Sequence, residues 1–335
     1  MIYFDNSAST YIKPKEVIIS TLEGLTKYSA NPGRSGHKLS ILTALKVEEV
    51  REKVSKFINA ENIAFTQNCT DALNLAIQGT FKPNGHIICS VNDHNASIRP
   101  LFELQRKFGL EISIAKPQNA GILTLDDIKP LVKNNTYLIC INQMSNVDGE
   151  IANIQEIGEF CAEKNIIFCV DGAQSCGHIK LDMQKDHIDL LALAPHKGLY
   201  SPQGIGVLGY SKNAKLNPIR FGGTGTEGIN VYQPTNSIET FESGTLSTPN
   251  ILGLGSGIDF VNKNIYFACF LILFIVFIFT FKNIAIMFFA SFVIACSINP
   301  VVDKFENKNS KEKKNNHHQA TGNTSKNTEQ KYITK

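Results

Sequence analysis

A chain of 335 residues, 43% hydrophobic and 19% charged, has material for one large domain or two ordinary ones, each with a sizeable core. Its formal charge of +3 is scattered and not interleaved with aromatic residues as a base-stacking groove requires, which sets nucleic acid aside as a partner. The cysteines, Cys69, Cys89, Cys140, Cys161, Cys169, Cys176, Cys269 and Cys296, are widely spaced without a C-x-x-C pair; this suits a reducing cytosol and excludes a disulfide scaffold or a zinc site.

The opening "MIYFDNSAST" has no basic stretch followed by an apolar one, so no signal peptide is expected. Between residues 60 and 210 short β-rich runs alternate with longer amphipathic ones. "NIAFT", "HIICSV", "TYLICI", "IIFCVD", "LLALA" and "IGVLGY" read as strands, and "CTDALNLAIQG", "SIRPLFELQRKFG" and "IQEIGEFCAEKN" as helices. Strands apolar on both faces and separated by helices predict an α/β fold, a mostly parallel sheet covered on two sides. In such sheets ligands bind outside the carboxyl ends of the strands. Polar groups collect at those ends: Asn68 and Thr70 after the first, His94 after the second, Asn146 after the third, Asp171 and Gln174 after the fourth, His196 and Lys197 after the fifth.

Further on the composition changes. Two uncharged apolar runs, 265–281 and 284–298, are separated by Lys282 and Asn283. At ~1.5 Å per residue they are too long together for one untilted crossing of a ~30 Å bilayer core, so a hairpin of two transmembrane helices is expected over 262–300. A buried helix pair is the alternative, and the missing polar face argues against it. Residues 301–335 are lysine-rich and poor in apolar residues, which predicts a disordered tail. Lysines at both outer ends of the apolar block place the tail and the preceding domain on the cytoplasmic side, with the domain anchored to the membrane.

Lys197 carries the chemical argument. A lysine at a strand end can simply cap carbonyls or pair with a carboxylate. Pyridoxal phosphate chemistry needs a lysine to hold the aldehyde as a Schiff base, a carboxylate at the pyridine nitrogen, and donors for a phosphate. "FCVDGAQSCGH" supplies Asp171, and "TQNCTDALNLAI" supplies a small polar turn opening a helix, where free N–H groups favour a phosphate. Each residue has a structural alternative: His94 as a helix-entry residue, Gln174 as a cap, Thr70 as an N-cap beside Asp71. Their joint occurrence at successive strand ends favours the cofactor.

Residues 1 to about 261 resemble the cysteine desulfurase branch of the class V aminotransferases, fold-type-I pyridoxal phosphate enzymes. The resemblance is carried, in order, by "IYFDNSAST", "NPGRSGHKLS", "FTQNCTDALNLAIQG", "NDHNASIRP", "QMSNVDGEI", "VDGAQSCGH", "APHKGLYSPQGIGVL", "FGGTGT" and "FESGTLSTPNILGLGSGIDFV". It implies that Lys197 binds the cofactor aldehyde and moves the Cα proton, that Asp171 pairs with the pyridine nitrogen, and that His94 stacks on the ring. It also implies that Gln174 and Asn146 bond the ring hydroxyl region, and that Cys69, Thr70 and His196 hold the phosphate. Thr245 would reach the phosphate site of a second subunit, hence a homodimer. The implied reaction takes L-cysteine to L-alanine and leaves sulfur as an enzyme persulfide for an acceptor protein. A selenocysteine lyase or another class V aminotransferase would use the same cofactor set. A cofactor-binding remnant or a membrane-tethered scaffold without turnover is the remaining alternative.

The sequence departs from that family in three respects. Such enzymes continue past "GLGSGIDFV" into a small domain carrying a mobile thiol and an arginine for the substrate carboxylate; here no arginine follows Arg220, and Cys269 and Cys296 lie in apolar runs. Ala194 stands where relatives place a Ser or Thr hydroxyl. The segment "FKNIAIMFFASFVIACSINPVVDKFE" resembles the opening membrane hairpin of the AI-2E exporter superfamily. The expectation is a truncated desulfurase that releases little or no sulfide from L-cysteine.

Overall fold

Strands form where β-branched and apolar residues run uninterrupted, and helices where apolar positions recur three and four apart. The computed structural model describes residues 2–33, 36–118, 121–225, 229–235, 237–280 and 286–298. In chain order its elements are α1 (Lys15–Thr26), α2 (Lys38–Ile58), β1 (Asn62–Thr66), α3 (Cys69–Gly79), β2 (His86–Ser90), α4 (Asn95–Phe108), β3 (Glu111–Ala115), α5 (Leu125–Ile128), β4 (Thr136–Asn142), α6 (Ile154–Lys164), β5 (Ile167–Asp171), β6 (Leu190–Leu193), β7 (Gly206–Tyr210) and α7 (Thr248–Thr280).

The strands form one seven-stranded sheet in the order β1-β7-β6-β5-β4-β2-β3. β7 runs antiparallel to both β1 and β6, and every other pair is parallel. Alternate side chains of the same strands enter different cores, as the period of two requires. On one face Ile139, Phe168 and Leu191 pack with α2, α6 and the first turns of α7. On the other, Leu138, Cys140, Cys169 and Ala192 pack with α3 and α4. Six predicted strands and three predicted helices are present. β3 was not predicted, because as an edge strand it buries only Ala115 and lacks a continuous apolar run.

The loops that leave β5 and β6 lie backbone to backbone. Gly177, at φ +89°, and Gly198 approach so closely that a Cβ on either would overlap the other segment's main chain. Only glycine permits this contact, and it presses the segment after Asp171 against the one carrying Lys197.

Beyond the sheet, α7 runs without a break from Thr248 to Thr280, and the division into two units falls inside it, at Asn264 and Ile265, beside the expected change at 261 and 262. Among the described residues no helix is long and apolar enough to cross a membrane, so the hairpin over 265–298 is not found there. The turn at Lys282 and Asn283 and the tail over 301–335 lie outside the described residues.

A buried ion pair joins three parts of the domain. Arg51 of α2 donates through Nη1 and Nη2 to Glu242 Oε1 and Oε2 at 2.6 and 3.0 Å. Arg51 Nη1 also donates to the Ile63 carbonyl at 3.0 Å, and Glu242 Oε1 accepts from the Phe65 N–H at 2.7 Å. Both side chains are at most 8% exposed. Removing one partner strands the other charge, so Arg51→Met is expected to cost about 3–5 kcal/mol. Adding Glu242→Gln, which keeps an acceptor for the Phe65 N–H and removes the stranded charge, is expected to recover part of that. Urea denaturation of the full chain measures both.

Candidate active site

The segments that follow β1, β2, β4, β5 and β6 enclose a cavity of about 450 Å³, together with Asp5, Ser7 and Ala8 from the amino-terminal stretch. The residues singled out at the strand ends all line it: Asn68, Cys69 and Thr70; His94; Asn146; Asp171 and Gln174; His196 and Lys197. Thr245 does not. It borders a separate cavity of about 210 Å³ beside Asp71, Arg220 and Ser243, so within one chain it is not part of this site.

At the first strand end Asn68 is extended, at φ −166°, and its side chain accepts from the Asp71 N–H at 2.9 Å. That bond caps α3 and leaves the N–H groups of Cys69 and Thr70 without a protein acceptor among the described residues. Four N–H groups at a helix start have no partner within the helix, and with the helix dipole they make an anion site. At the second strand end His94 caps α4, its Nδ1 accepting from the Ala96 N–H at 3.1 Å. Nδ1 is therefore unprotonated, and Nε2 carries the hydrogen.

Asp171, the last residue of β5, is 4% exposed, and its Oδ1 accepts from the Ala173 N–H at 2.9 Å. Burial pushes its carboxyl above the usual range, opposed by the Ala173 N–H, by the charge of Lys197 and by the nearby His94. Cys69 Sγ lies 4.0 Å from the same oxygen. Burial and the charge of Asp171 push the Cys69 thiol well above its ordinary value.

The loop after β6 is strapped down by the amino-terminal stretch. Thr10 Oγ1 donates to the Lys197 carbonyl at 2.6 Å, and the Thr10 N–H and Lys13 Nζ donate to the His196 carbonyl at 3.2 and 3.1 Å. His196 Nδ1 lies 3.2 Å from Ser9 Oγ; burial and the charges of Lys197 and Lys13 hold its imidazole below the usual range. Gln174 Nε2 donates to the Ser7 carbonyl at 3.0 Å, so its Oε1 is the end left for a ligand. Lys197 Nζ has no carboxylate within ion-pair distance among the described residues. The amino-terminal residues are missed by a reading based on strand ends, and Asn142, the last residue of β4, was passed over for Asn146; "DNSAST" is visible only as a family motif, because small polar residues carry no periodicity.

An unpaired lysine, a buried carboxylate and an open helix start, gathered at the carboxyl ends of a mostly parallel sheet, define an enzyme of the aminotransferase type. Residues 2–269 match the family Aminotransferase class-V, and the chain belongs to that family, in its cysteine desulfurase branch. It is 37% identical over 279 residues to a probable cysteine desulfurase of Borreliella burgdorferi, covering 78% of this chain and 66% of the relative. A probable cysteine desulfurase of Pyrococcus abyssi is 37% identical over 272 residues, with 78% and 67% covered. Among solved structures, the apo cysteine desulfurase from Thermococcus onnurineus NA1 superposes with a TM-score of 0.73 at 35% identity, covering 78% of this chain and 67% of that one. SspA in complex with cysteine gives 0.69 at 28% identity, with 77% and 72% covered. The chain spans about two thirds of the length of the curated relatives it matches.

Cys69 is half-buried, whereas Cys89, Cys140, Cys161, Cys169 and Cys176 are buried. Its thiol stays protonated at neutral pH, and only the thiolate attacks. Iodoacetamide at neutral pH is therefore expected to alkylate Cys69 at least about tenfold more slowly than free cysteine. Mass spectrometry of the Cys69 peptide gives the rate; a rate equal to free cysteine would show that the thiol is not held against Asp171.

Proposed function

We propose that this chain binds pyridoxal 5'-phosphate in the cavity and acts on L-cysteine as a desulfurase, giving L-alanine while the sulfur passes to an enzyme thiol as a persulfide. The observation that carries the reading is the convergence of Lys197, Asp171 and the start of α3 on one cavity. The donor set fits the cofactor. Asp171 is a desolvated carboxylate suited to a protonated ring nitrogen, and the free N–H groups of Cys69 and Thr70 suit a phosphate. Ala194 lines the cavity where a hydroxyl would have added one donor.

When bound, the cofactor supplies an electron sink for the substrate Cα. The chain's own residues do the rest. Lys197 Nζ would hold the aldehyde and carry the proton from Cα. Asp171 would keep a proton on the ring nitrogen, His94 would cover the ring, and Gln174 Oε1 and Asn146 would hold its hydroxyl. Thr70 and His196 complete the phosphate site, and Thr245 of a second copy would close it in a homodimer. A sulfur-acceptor protein takes the persulfide onward.

A second reading, cofactor held without turnover, is favoured by the lining itself. Among the described residues no arginine lines the cavity to grip a substrate carboxylate, and the one thiol there, Cys69, is protonated. Sulfide release from L-cysteine by the cofactor-loaded protein separates the two readings. Selenide release from selenocysteine tests the neighbouring activity.

Added pyridoxal phosphate is expected to give a visible absorbance that borohydride fixes as a mass increment on the Lys197 peptide. Lys197→Ala should lose both signals; a band and a label that survive would show that the aldehyde is held elsewhere. Asp171→Ala is expected to weaken binding roughly ten- to a hundredfold, the loss of a charged hydrogen bond. Titration followed by absorbance measures it.

A further inference from the structure

Asp93 lies between Asn92 and His94 and does not line the cavity. The residue is half-buried, with its carboxyl directed at the ends of two strands. Oδ2 accepts from the N–H of Ser90, the last residue of β2, and Oδ1 from the N–H of Asn142, the last residue of β4, both at 2.7 Å. Register between these strands pairs His86, Ile87 and Ile88 with Thr136, Leu138 and Ile139 and goes no further. One carboxylate thus satisfies two N–H groups where the ladder has stopped. The bond is returned: Asn142 Nδ2 donates to the Asn92 carbonyl at 2.9 Å.

Both ends of this clip lead into the site. His94 follows Asp93 directly and caps α4. Asn142 is the register partner of Asp171 on β5, and the next N–H along, that of Gln143, donates to the Asp171 carbonyl at 3.1 Å. Resting on the reading that the cavity holds pyridoxal phosphate, we propose that Asp93 is a positioning residue: its ionised carboxylate locks β2 to β4 and so fixes His94 relative to Asp171, the two side chains that grip the cofactor ring from its face and its nitrogen.

The environment makes this clip sensitive to pH. The groups facing the carboxyl are Cys89 on β2, Cys140 on β4 and Asp171 on β5. Burial and the charge of Asp171 push Asp93 up to about 7, against the pull of the Ser90 and Asn142 N–H groups. Burial pushes the Cys89 thiol up to about 12, and Cys140, hydrogen-bonded to Cys169, lies well above its usual value, so neither changes charge near neutrality. Asp171 is itself faced by Lys197, His94 and Cys69. Above its titration Asp93 accepts at both oxygens; below it one oxygen becomes a donor and the clip loosens.

Asp93→Asn reproduces the loosened state at every pH, since an amide offers one acceptor where the carboxylate offers two. The full chain is titrated with pyridoxal phosphate by absorbance, with far-ultraviolet circular dichroism confirming the fold. Asp93→Asn is expected to bind about tenfold more weakly than wild type near pH ~8.5, with the ratio shrinking toward unity near pH ~5.5, where wild-type Asp93 is itself neutral. Equal affinity at both pH values overturns the proposal, and so does a penalty of constant size, which marks a purely structural residue. If Asp93→Asn does not fold, Asp93→Glu carries the test: it keeps the charge but lengthens the clip, so affinity falls while the pH dependence stays, and unchanged affinity overturns the proposal. Absence of binding by wild type overturns the cofactor reading and this inference with it. That result is distinct from a wild type that binds and a variant that binds equally well.

Discussion

Parallel pairing is the constraint on which the molecule depends. β2, β4, β5 and β6 run the same way, so each ends on the same side of the sheet. At such an edge the ladder hydrogen bonds stop and the last N–H and C=O groups must find other partners. This chain meets that demand at β2 and β4 with Asp93, which takes the Ser90 and Asn142 N–H groups, and the segments that follow the strands are capped in the same way: Asp171 takes the Ala173 N–H, His94 the Ala96 N–H, and Asn68 the Asp71 N–H. A polar cavity at the carboxyl edge is therefore the way this sheet finishes its own hydrogen bonding.

The same edge concentrates charge where water is scarce. Asp171 and Asp93 are neighbouring carboxyls, both pushed up by burial, and Lys197 lowers Asp171 alone of the two. Such an arrangement is costly in an empty cavity, because no ion pair settles Asp171. On the proposed reading a cationic ring nitrogen against Asp171 would relieve it and a phosphate at the start of α3 would complete groups that otherwise lack acceptors, so that stability and ligand binding would be linked through the same atoms.

The sheet was legible in the sequence because strands buried on both faces leave unbroken apolar runs; the cap of α3 was not, since Thr70 was the N-cap offered there and the structure uses Asn68. The places of Lys197, Asp171 and His94 on the cavity were legible because Asp171 ends such a run and His94 and Lys197 come within three residues of one. Three further things were not. β3 is a half-exposed edge with mixed composition, so it shows no strand pattern. The support from Ser7, Ser9 and Thr10 comes through main-chain and hydroxyl bonds to residues far along the chain, and no local pattern encodes those. The apolar stretch beyond residue 264 misled in the other direction: hydropathy reports solvent preference but not where a helix begins, and α7 begins within the domain, at Thr248.

The strap between Thr10 and Lys197 spans 187 residues of sequence, and its geometry sets the order in which the site can be made. Closing so long a loop costs entropy that only finished tertiary contacts repay, and contacts of high sequence separation slow folding. The strap cannot close before residue 197 has been made and the loop after β6 has taken its place, so a chain interrupted short of residue 197 lacks both the lysine and the carbonyl that Thr10 holds.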